Sequence, residues 1–458
     1  MEKTGLRSLA SEKTLFCLTA VIMLLMPVSE LLTDVACNFT KEIEPSFFQA
    51  FILGVYGLLG TVILLFYRGI ELSDRKEEHK WHAADLFYLL LLFFMLVSVI
   101  FSTRPGVFNG GSVVCSEMPV NFLAYYFLFF SGSRIKKNEY RIKLVAVFIA
   151  VAVIQSVVAF FQTFDMEIAY CILTRHSGAA YGLTQNSNYY GGLSLLLLAA
   201  VSGAYLFSER LSGNRVLRFI LPVLSGFVFY TVLGSRARLI WFGFVPMMLF
   251  YLISGIVMLK GSISRFDLKR FFVRLGVLTL VFAAVFAVTH LFTDYVSEEL
   301  QRTQWEIEGK LDNGIGSDRL VIWNAALKSV PRHWVTGVGL DNFRQVFIEA
   351  PGYVEGDYIM DKAHNEYLHV LATQGVFALG VYLILYVRTV VNSVKKIFAG
   401  GDEKEQALSW LFLGMFITYA CQAFFNTSVV NVAMYFWLVL GLLNTCEHPL
   451  SLASNKKK

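Results

Sequence analysis

Residues 216–234, VLRFILPVLSGFVFYTVLG, and residues 239–259, LIWFGFVPMMLFYLISGIVML, are two apolar runs separated only by Ser235-Arg236-Ala237-Arg238. A helix needs about 20 apolar residues to cross the hydrocarbon of a bilayer, and each run has that length. Four residues between them leave room for a turn and little more, so the pair reads as a helical hairpin that enters and leaves the membrane on one side. Its tip carries two guanidinium groups.

Outward from this hairpin, similar runs recur at 15–32, 47–67, 83–102, 118–132, 143–163, 189–207, 272–292, 366–387, 408–426 and 429–445. The fourth is short and the last two are nearly continuous. With 458 residues, 56% of them hydrophobic and 15% aromatic, and a mean hydropathy of +0.58, the chain is too apolar for a soluble globular protein. The expected fold is all-α: a polytopic integral membrane protein with about 12 transmembrane helices. The first run holds Pro27, Ser29 and Glu30 and lacks a small-residue cleavage site, so it reads as a retained anchor and not a removed signal peptide.

The cations give the spans a direction. With the N-terminus inside, the inner segments and their flanks hold 27 of the 39 Lys and Arg, including Lys456-Lys457-Lys458, as the cytoplasmic preference of these residues requires. The short outer loops hold only Lys41, Arg104, Arg175, Arg236 and Arg238. Both termini are therefore expected in the cytoplasm, with the Arg236–Arg238 tip outside. The net charge of +5 reflects this inner bias, and no basic patch suggests nucleic acid. Of six cysteines, Cys37, Cys115 and Cys171 would face outward. A Cys37–Cys115 disulfide fits this placement; isolated membrane thiols fit it more simply.

Segment 293–365 is about 70 residues long, far beyond an ordinary connection, and loops of that size usually carry function. The expected organisation is 1–292 with spans one to nine, 293–365 as a partly helical extracytoplasmic subdomain, and 366–458 with the last three spans and a cytoplasmic tail. No internal repeat divides it further. Residues 295–311 read as a polar, acidic helix. Ser317 and Asp318 cap a second one, in which Leu320, Trp323, Ala326 and Leu327 recur at three- and four-residue steps before Pro331 ends it. That helix would hold Arg319 near its start. Lys362-Ala363-His364-Asn365 then runs straight into the tenth span.

These residue types admit a specific chemistry. Arg presents a planar fork that matches phosphate oxygens and stays charged at any working pH. An imidazole titrates near neutrality and takes a proton from a hydroxyl. Each residue also has a plainer reading: outer arginines snorkel to lipid headgroups, Arg319 pairs with a loop carboxylate, and His364 packs on the lip of a helix. Asn186 and Asn188 precede the sixth span, where they either cap the helix or help its N-terminus hold an anion; Asn365 is an N-cap candidate of the same kind.

Taken together, SDRLVIWNAALKSVPRHWVTGVGLDNF (317–343) and AHNEYLHVLATQGVFALG (363–380) strongly resemble the C-terminal signature of the O-antigen ligase and polymerase superfamily. GLTQNSNYYGGLSLLLL (182–198) is similar to that family's Asn-containing start of a middle span, and SRARLIWFG (235–243) to its serine-arginine motif. The resemblance covers residues 180–440; the first 170 match in hydropathy alone.

The resemblance implies transfer of a glycan from a polyprenyl (undecaprenyl) diphosphate carrier, outside the cytoplasmic membrane, to a glycan, lipid or protein acceptor hydroxyl. It implies an inverting, metal-independent reaction without a cofactor, with Arg236, Arg238 and Arg319 on the diphosphate and His364 as general base. Asn186, Asn188 and Asn365 are the further substrate-binding candidates. The acidic motif of a metal-dependent transferase is matched only loosely by Glu42-Ile43-Glu44, which with Asp34 reads better as a solvated cluster; Glu298, Glu299, Glu306 and Glu308 read as the solvated face of a helix. A polymerase of lipid-linked repeat units is the alternative within the family. A lipid-linked glycan flippase is the alternative outside it, disfavoured by unlike halves and span interiors nearly free of charge.

Overall fold

The computed structural model describes residues 11–40, 45–73, 83–103, 117–164, 179–184, 186–211, 214–260, 268–293, 298, 301, 304–305, 308, 319–350, 359–399 and 402–445. Among these, every regular element is helical. The Cys37–Cys115 pairing, the Glu42 and Glu44 side chains, the caps Ser317 and Asp318 and most of the acidic helix over 295–311 lie outside the described residues.

A helix stands at each of the twelve apolar runs. Before the large loop come α1 (Glu12–Thr40), α2 (Pro45–Ser73), α3 (Ala83–Ile100), α4 (Pro119–Arg134), α5 (Asn138–Gln162), α6 (Ser187–Leu206), α7 (Leu217–Gly234), α8 (Ile240–Lys260) and α9 (Leu268–Phe292). The loop contributes α10 (Arg319–His333), and α11 (Glu366–Phe398), α12 (Glu403–Gln422) and α13 (Val430–Leu443) follow. Ten helices are long and apolar enough to cross a membrane. The other two runs form shorter helices, α4 with 16 residues and α13 with 14. At a rise of about 1.5 Å per residue, 14 residues fall short of a bilayer's ~30 Å of hydrocarbon. The chain makes up depth before α13 with a 3-10 turn, Ala423–Phe425, and an extended stretch in which Asn426, Thr427 and Ser428 are buried. Non-helical backbone at such depth survives only inside protein, where its polar groups find partners.

Packing places α6 at the centre: 94% of its span is buried, against α5, α7 and α12. Its Gly191, Gly192, Ser194, Ala199, Ala200, Ser202 and Gly203 keep the helix thin where neighbours press on it, as small residues do where apolar burial alone cannot drive association. At the α4–α13 crossing a Cβ on Gly441 would lie 2.2 Å from the Phe129 carbonyl oxygen.

The helices share two ends. At one, Glu12 accepts from Lys136 N and Lys137 N, Asn138 meets Asp402, and Lys396 pairs with Glu405. There α1 begins and α13 finishes. At the other end lie Glu117, the 235–238 link, α10, the start of α11 and the 423–429 turn.

Two elements differ from expectation. Helix α11 runs 33 residues, well past 387, and is broken at Gly375, whose φ of 86° and ψ of 174° are not helical. The break frees carbonyls that the loop takes up: Val338 N donates to Ala372 O (2.9 Å) and Gly339 N to Thr373 O (3.0 Å), while Val376 N donates to Trp334 O (2.8 Å). In α10, Pro331 does not end the helix, which continues to His333 and closes through Gly337 N on the His333 carbonyl (2.7 Å). Near its C-terminus the missing proline N–H costs one hydrogen bond and is tolerated. The buried stripe is also shifted. Ile322 and Ala326 are buried, whereas Leu320 (58%) and Leu327 (56%) are exposed. Both stripes satisfy helical spacing. Docking decides between them, because Ile322 and Ala326 form a small core with Val338, Phe343, Val346, Ala363 and Ala372.

Candidate active site

The junction Lys362–Glu366 is the centre of the site. Asn365 caps α11, its Oδ1 accepting from Leu368 N (3.0 Å). Just before it, Ala363 is buried in the loop core and its carbonyl accepts from Trp323 Nε1 (3.0 Å). Tethered from both sides, His364 takes a left-handed backbone, φ 49°. Only two other described non-glycine residues have positive φ, Arg236 (54°) and Asp341 (52°), and both belong to this end of the bundle. Each such conformation costs about 1–3 kcal/mol and persists where the surroundings impose it, which happens most often at functional sites.

Beside His364 a buried ionic knot joins three distant parts of the chain. Lys362 Nζ lies 2.8 Å from Glu117 Oε2 and 2.6 Å from Asp341 Oδ1, and Glu117 N donates to Asp341 Oδ2 (3.2 Å). The side chains of Lys362 and Asp341 are 2% and 0% exposed. Burial pushes the Asp341 carboxyl above the usual carboxylate range, and the Lys362 ammonium pulls it back. His369, its ring tilted against that of Phe343, completes a trio with Glu117 and Asp341 whose donor atoms lie within 4.8 Å of one another. These are metal-ligand types, but the ammonium already sits against both carboxylates, and a divalent ion would have to displace it.

His364 itself is mostly buried and its Nδ1 has no hydrogen-bond partner among the described residues. Burial, then the Arg319 guanidinium, then the Lys362 ammonium push its pKa down to about 4. At neutral pH the ring is uncharged and free to accept a proton.

The 235–238 link forms the opposite part of this end. Ala180 N donates to Gly234 O (2.8 Å), and Ser235 Oγ accepts from Ala237 N (3.3 Å). Gly191 leaves room for Ser235 and Ala237 against the start of α6. Arg236 is exposed and reaches Glu298 at 3.7 Å; Arg238 is half-buried. Asn186 caps α6 through Asn188 N (2.8 Å), and the Asn188 carbonyl accepts from Asn426 Nδ2 (3.1 Å). Two residues on, Ser428 N donates to the Glu366 carboxylate. A line of contacts thus runs from the arginine link through α6 and the 423–429 turn to the residues after His364. Arg319 is brought near enough to His364 to act on it electrostatically, whereas Arg236 and Arg238 are joined to it along this line. Asn186 and Asn365 commit their side-chain oxygens to caps.

Residues 222–383 match the family model described as O-antigen ligase. This stretch is similar to an O-antigen ligase family domain. It runs from α7 into α11 and contains Arg236, Arg238, Arg319, Asp341, Lys362 and His364. A comparison with curated proteins finds no significant match. The O-antigen ligase domain supports a glycan-transfer function of ligase type in a multi-pass membrane protein.

Sequence reasoning missed Glu117, Asp341, Lys362, Glu366 and His369. Glu117 lies outside the O-antigen ligase match, and its partner Lys362 is 245 residues away in the chain. The available signal was a lysine placed two residues before the candidate base at the mouth of an apolar span.

Proposed function

We propose that the chain transfers a glycan from a polyprenyl diphosphate carrier to an acceptor hydroxyl on the outer face of the cytoplasmic membrane. The reading is carried by His364: a neutral, mostly buried imidazole, unpartnered at Nδ1, held in a left-handed backbone beside Arg319. His364 takes the proton of the acceptor hydroxyl as its oxygen attacks the anomeric carbon. The bond from that carbon to the diphosphate oxygen breaks, and the carrier leaves as polyprenyl diphosphate. Attack opposite the leaving group inverts the anomeric centre. Arg319, Arg236 and Arg238 hold the developing charge, and cations already in place do so without reorganisation at the moment of reaction. Asn186, Asn188 and Asn365 line the helix starts nearby. Both ends of the chain lie in the cytoplasm in this arrangement, and segment 293–365 is the outer subdomain.

No metal takes part in the proposed step. The Lys362 ammonium against Glu117 and Asp341 supports this, since those carboxylates already have their cation. Full activity in chelator is expected; its loss would overturn this part of the reading.

The test is reconstituted transfer with purified protein and a polyprenyl-diphosphate-linked oligosaccharide, with products resolved by size. Transfer to added envelope lipid, protein or wall fragments marks a ligase. A ladder of longer lipid-linked glycans marks a polymerase, the second reading that the same donor site and base serve. Translocation of the donor without covalent change would replace both by transport.

A further inference from the structure

The ionic knot stands one residue from His364 and has no part in the reaction just described. We infer that Lys362 is a positioning residue: clamped between Glu117 and Asp341, its ammonium fixes the segment that carries His364 and keeps the imidazole aimed at the acceptor. The inference rests on His364 being the base.

The geometry carries it. Lys362 is almost wholly buried, and both of its carboxylate partners are buried too. Each partner comes from a different element: Glu117 from the approach to α4, Asp341 from the left-handed turn after the glycine pair Gly337 and Gly339. A lysine so enclosed holds its backbone far more tightly than an exposed ion pair does, because breaking the pair strands a charge out of water. One residue separates it from His364, and that residue, Ala363, is pinned by Trp323. The segment therefore has little freedom left. Such placement matters because a misaligned catalytic group costs rate even when every chemical part is present.

Among the described residues, the charged and titratable groups that act on His364 are Arg319 from α10, Lys362 on its own segment and His369 one turn into α11. Glu117 and Asp341 stand behind Lys362. Removing the ammonium takes away one of the two cations that disfavour protonation of the ring.

The test uses the full-length protein in the reconstituted assay, with folding checked by membrane insertion and a monodisperse purified peak. Lys362→Met leaves two buried carboxylates without their cation, so the charge-balanced double variant Lys362→Met with Glu117→Gln is made beside it. The expected result is a fall in kcat of about ten- to a hundredfold with donor KM little changed. The acidic limb of the kcat profile should also move to higher pH, and Lys362→Arg should restore part of both. A folded variant with wild-type kcat and an unmoved limb would overturn the proposal. So would loss of the folded protein in both variants, which would make the knot purely structural. His364→Ala is run in parallel: retention of activity there would instead remove the base reading on which this one stands.

Discussion

Trp323 donates its indole N–H to the carbonyl of Ala363 over 3.0 Å, so the residue before His364 hangs from the loop helix. The bond joins α10 to the residues just before α11, beside the core in which Ile322 and Ala326 pack with Ala363 and Ala372. Trp323→Phe keeps the ring's bulk against Phe424 and Phe425 and removes the donor. A stability loss of about 1 kcal/mol is expected from one such bond. Transfer rate should fall further than thermal stability suggests, which paired melting and turnover measurements on the same preparation would check.

The shifted stripe of α10 makes a contrast between two apolar residues only two positions apart. Ile322 is 1% exposed and Leu320 is 58% exposed. Ile322→Asp would bury a carboxylate in the core shared with Phe343 and Ala363 and should abolish the folded loop core. Leu320→Asp should change stability by no more than about 0.5 kcal/mol. Expression, detergent stability and protease resistance of the two variants decide between this stripe and the alternative one.

Gly375 should tolerate no side chain. A Cβ there would stand 2.1 Å from the Val335 carbonyl oxygen, on a backbone with φ 86°. Gly375→Ala must either close the break in α11 or push the 334–339 segment away, with an expected cost of about 2–5 kcal/mol. Loss of the Val338–Ala372 and Gly339–Thr373 hydrogen bonds would appear as faster amide exchange at Val338 and Gly339.

Much of this architecture was legible because hydrocarbon thickness sets a length that sequence reports directly. All twelve apolar runs became helices; the fourth is short, and of the nearly continuous last two, α12 is full length and α13 is short. What hydropathy hid was the break in α11. Thr373-Gln374-Gly375 interrupts an otherwise apolar run, but a helix tolerates a lone glycine, and only the docked 334–339 segment reveals that the freed carbonyls have partners. At the site, Arg319 and His364 could be singled out because arginine and histidine are conspicuous at a membrane boundary. Lys362 could not. Its meaning comes from Glu117 and Asp341, and a contact across 245 residues leaves no local pattern.

The arginines should separate by role. Arg319 faces His364, so Arg319→Gln removes both a phosphate fork and a cation that holds the imidazole neutral. Donor binding should weaken about ten- to a hundredfold, that is about 1.4–2.8 kcal/mol, and the acidic limb of the rate profile should rise. Arg319→Lys keeps the charge and loses the planar fork, so binding should recover in part with the limb near its original place. Arg236→Gln and Arg238→Gln should weaken donor binding with no movement of the limb. Titration of a short-chain polyprenyl diphosphate against each variant, beside its pH profile, distinguishes donor contacts from arginines that only meet lipid headgroups.

The pH dependence gives the last expectation its sign. A general base must be unprotonated to act, so activity is present above its pKa and is lost as pH falls through it. His364 is pushed down to about 4 by burial first, then by Arg319 and Lys362. In kcat/KM, which reports the free enzyme, the acidic limb should therefore lie near 4, well below that of an ordinary histidine. In the proposed mechanism, bound diphosphate would place negative charge against Arg319 and offset part of the repulsion that the protonated ring would feel. The pKa rises in the complex, and the limb in kcat should stand at higher pH than the limb in kcat/KM. Such a separation also brings the base closer to working pH once donor is bound, where proton transfer is most effective. Coincident limbs, or a limb near 6.5 in both profiles, would mean that the ring is not enclosed beside Arg319 and Lys362 in the working enzyme.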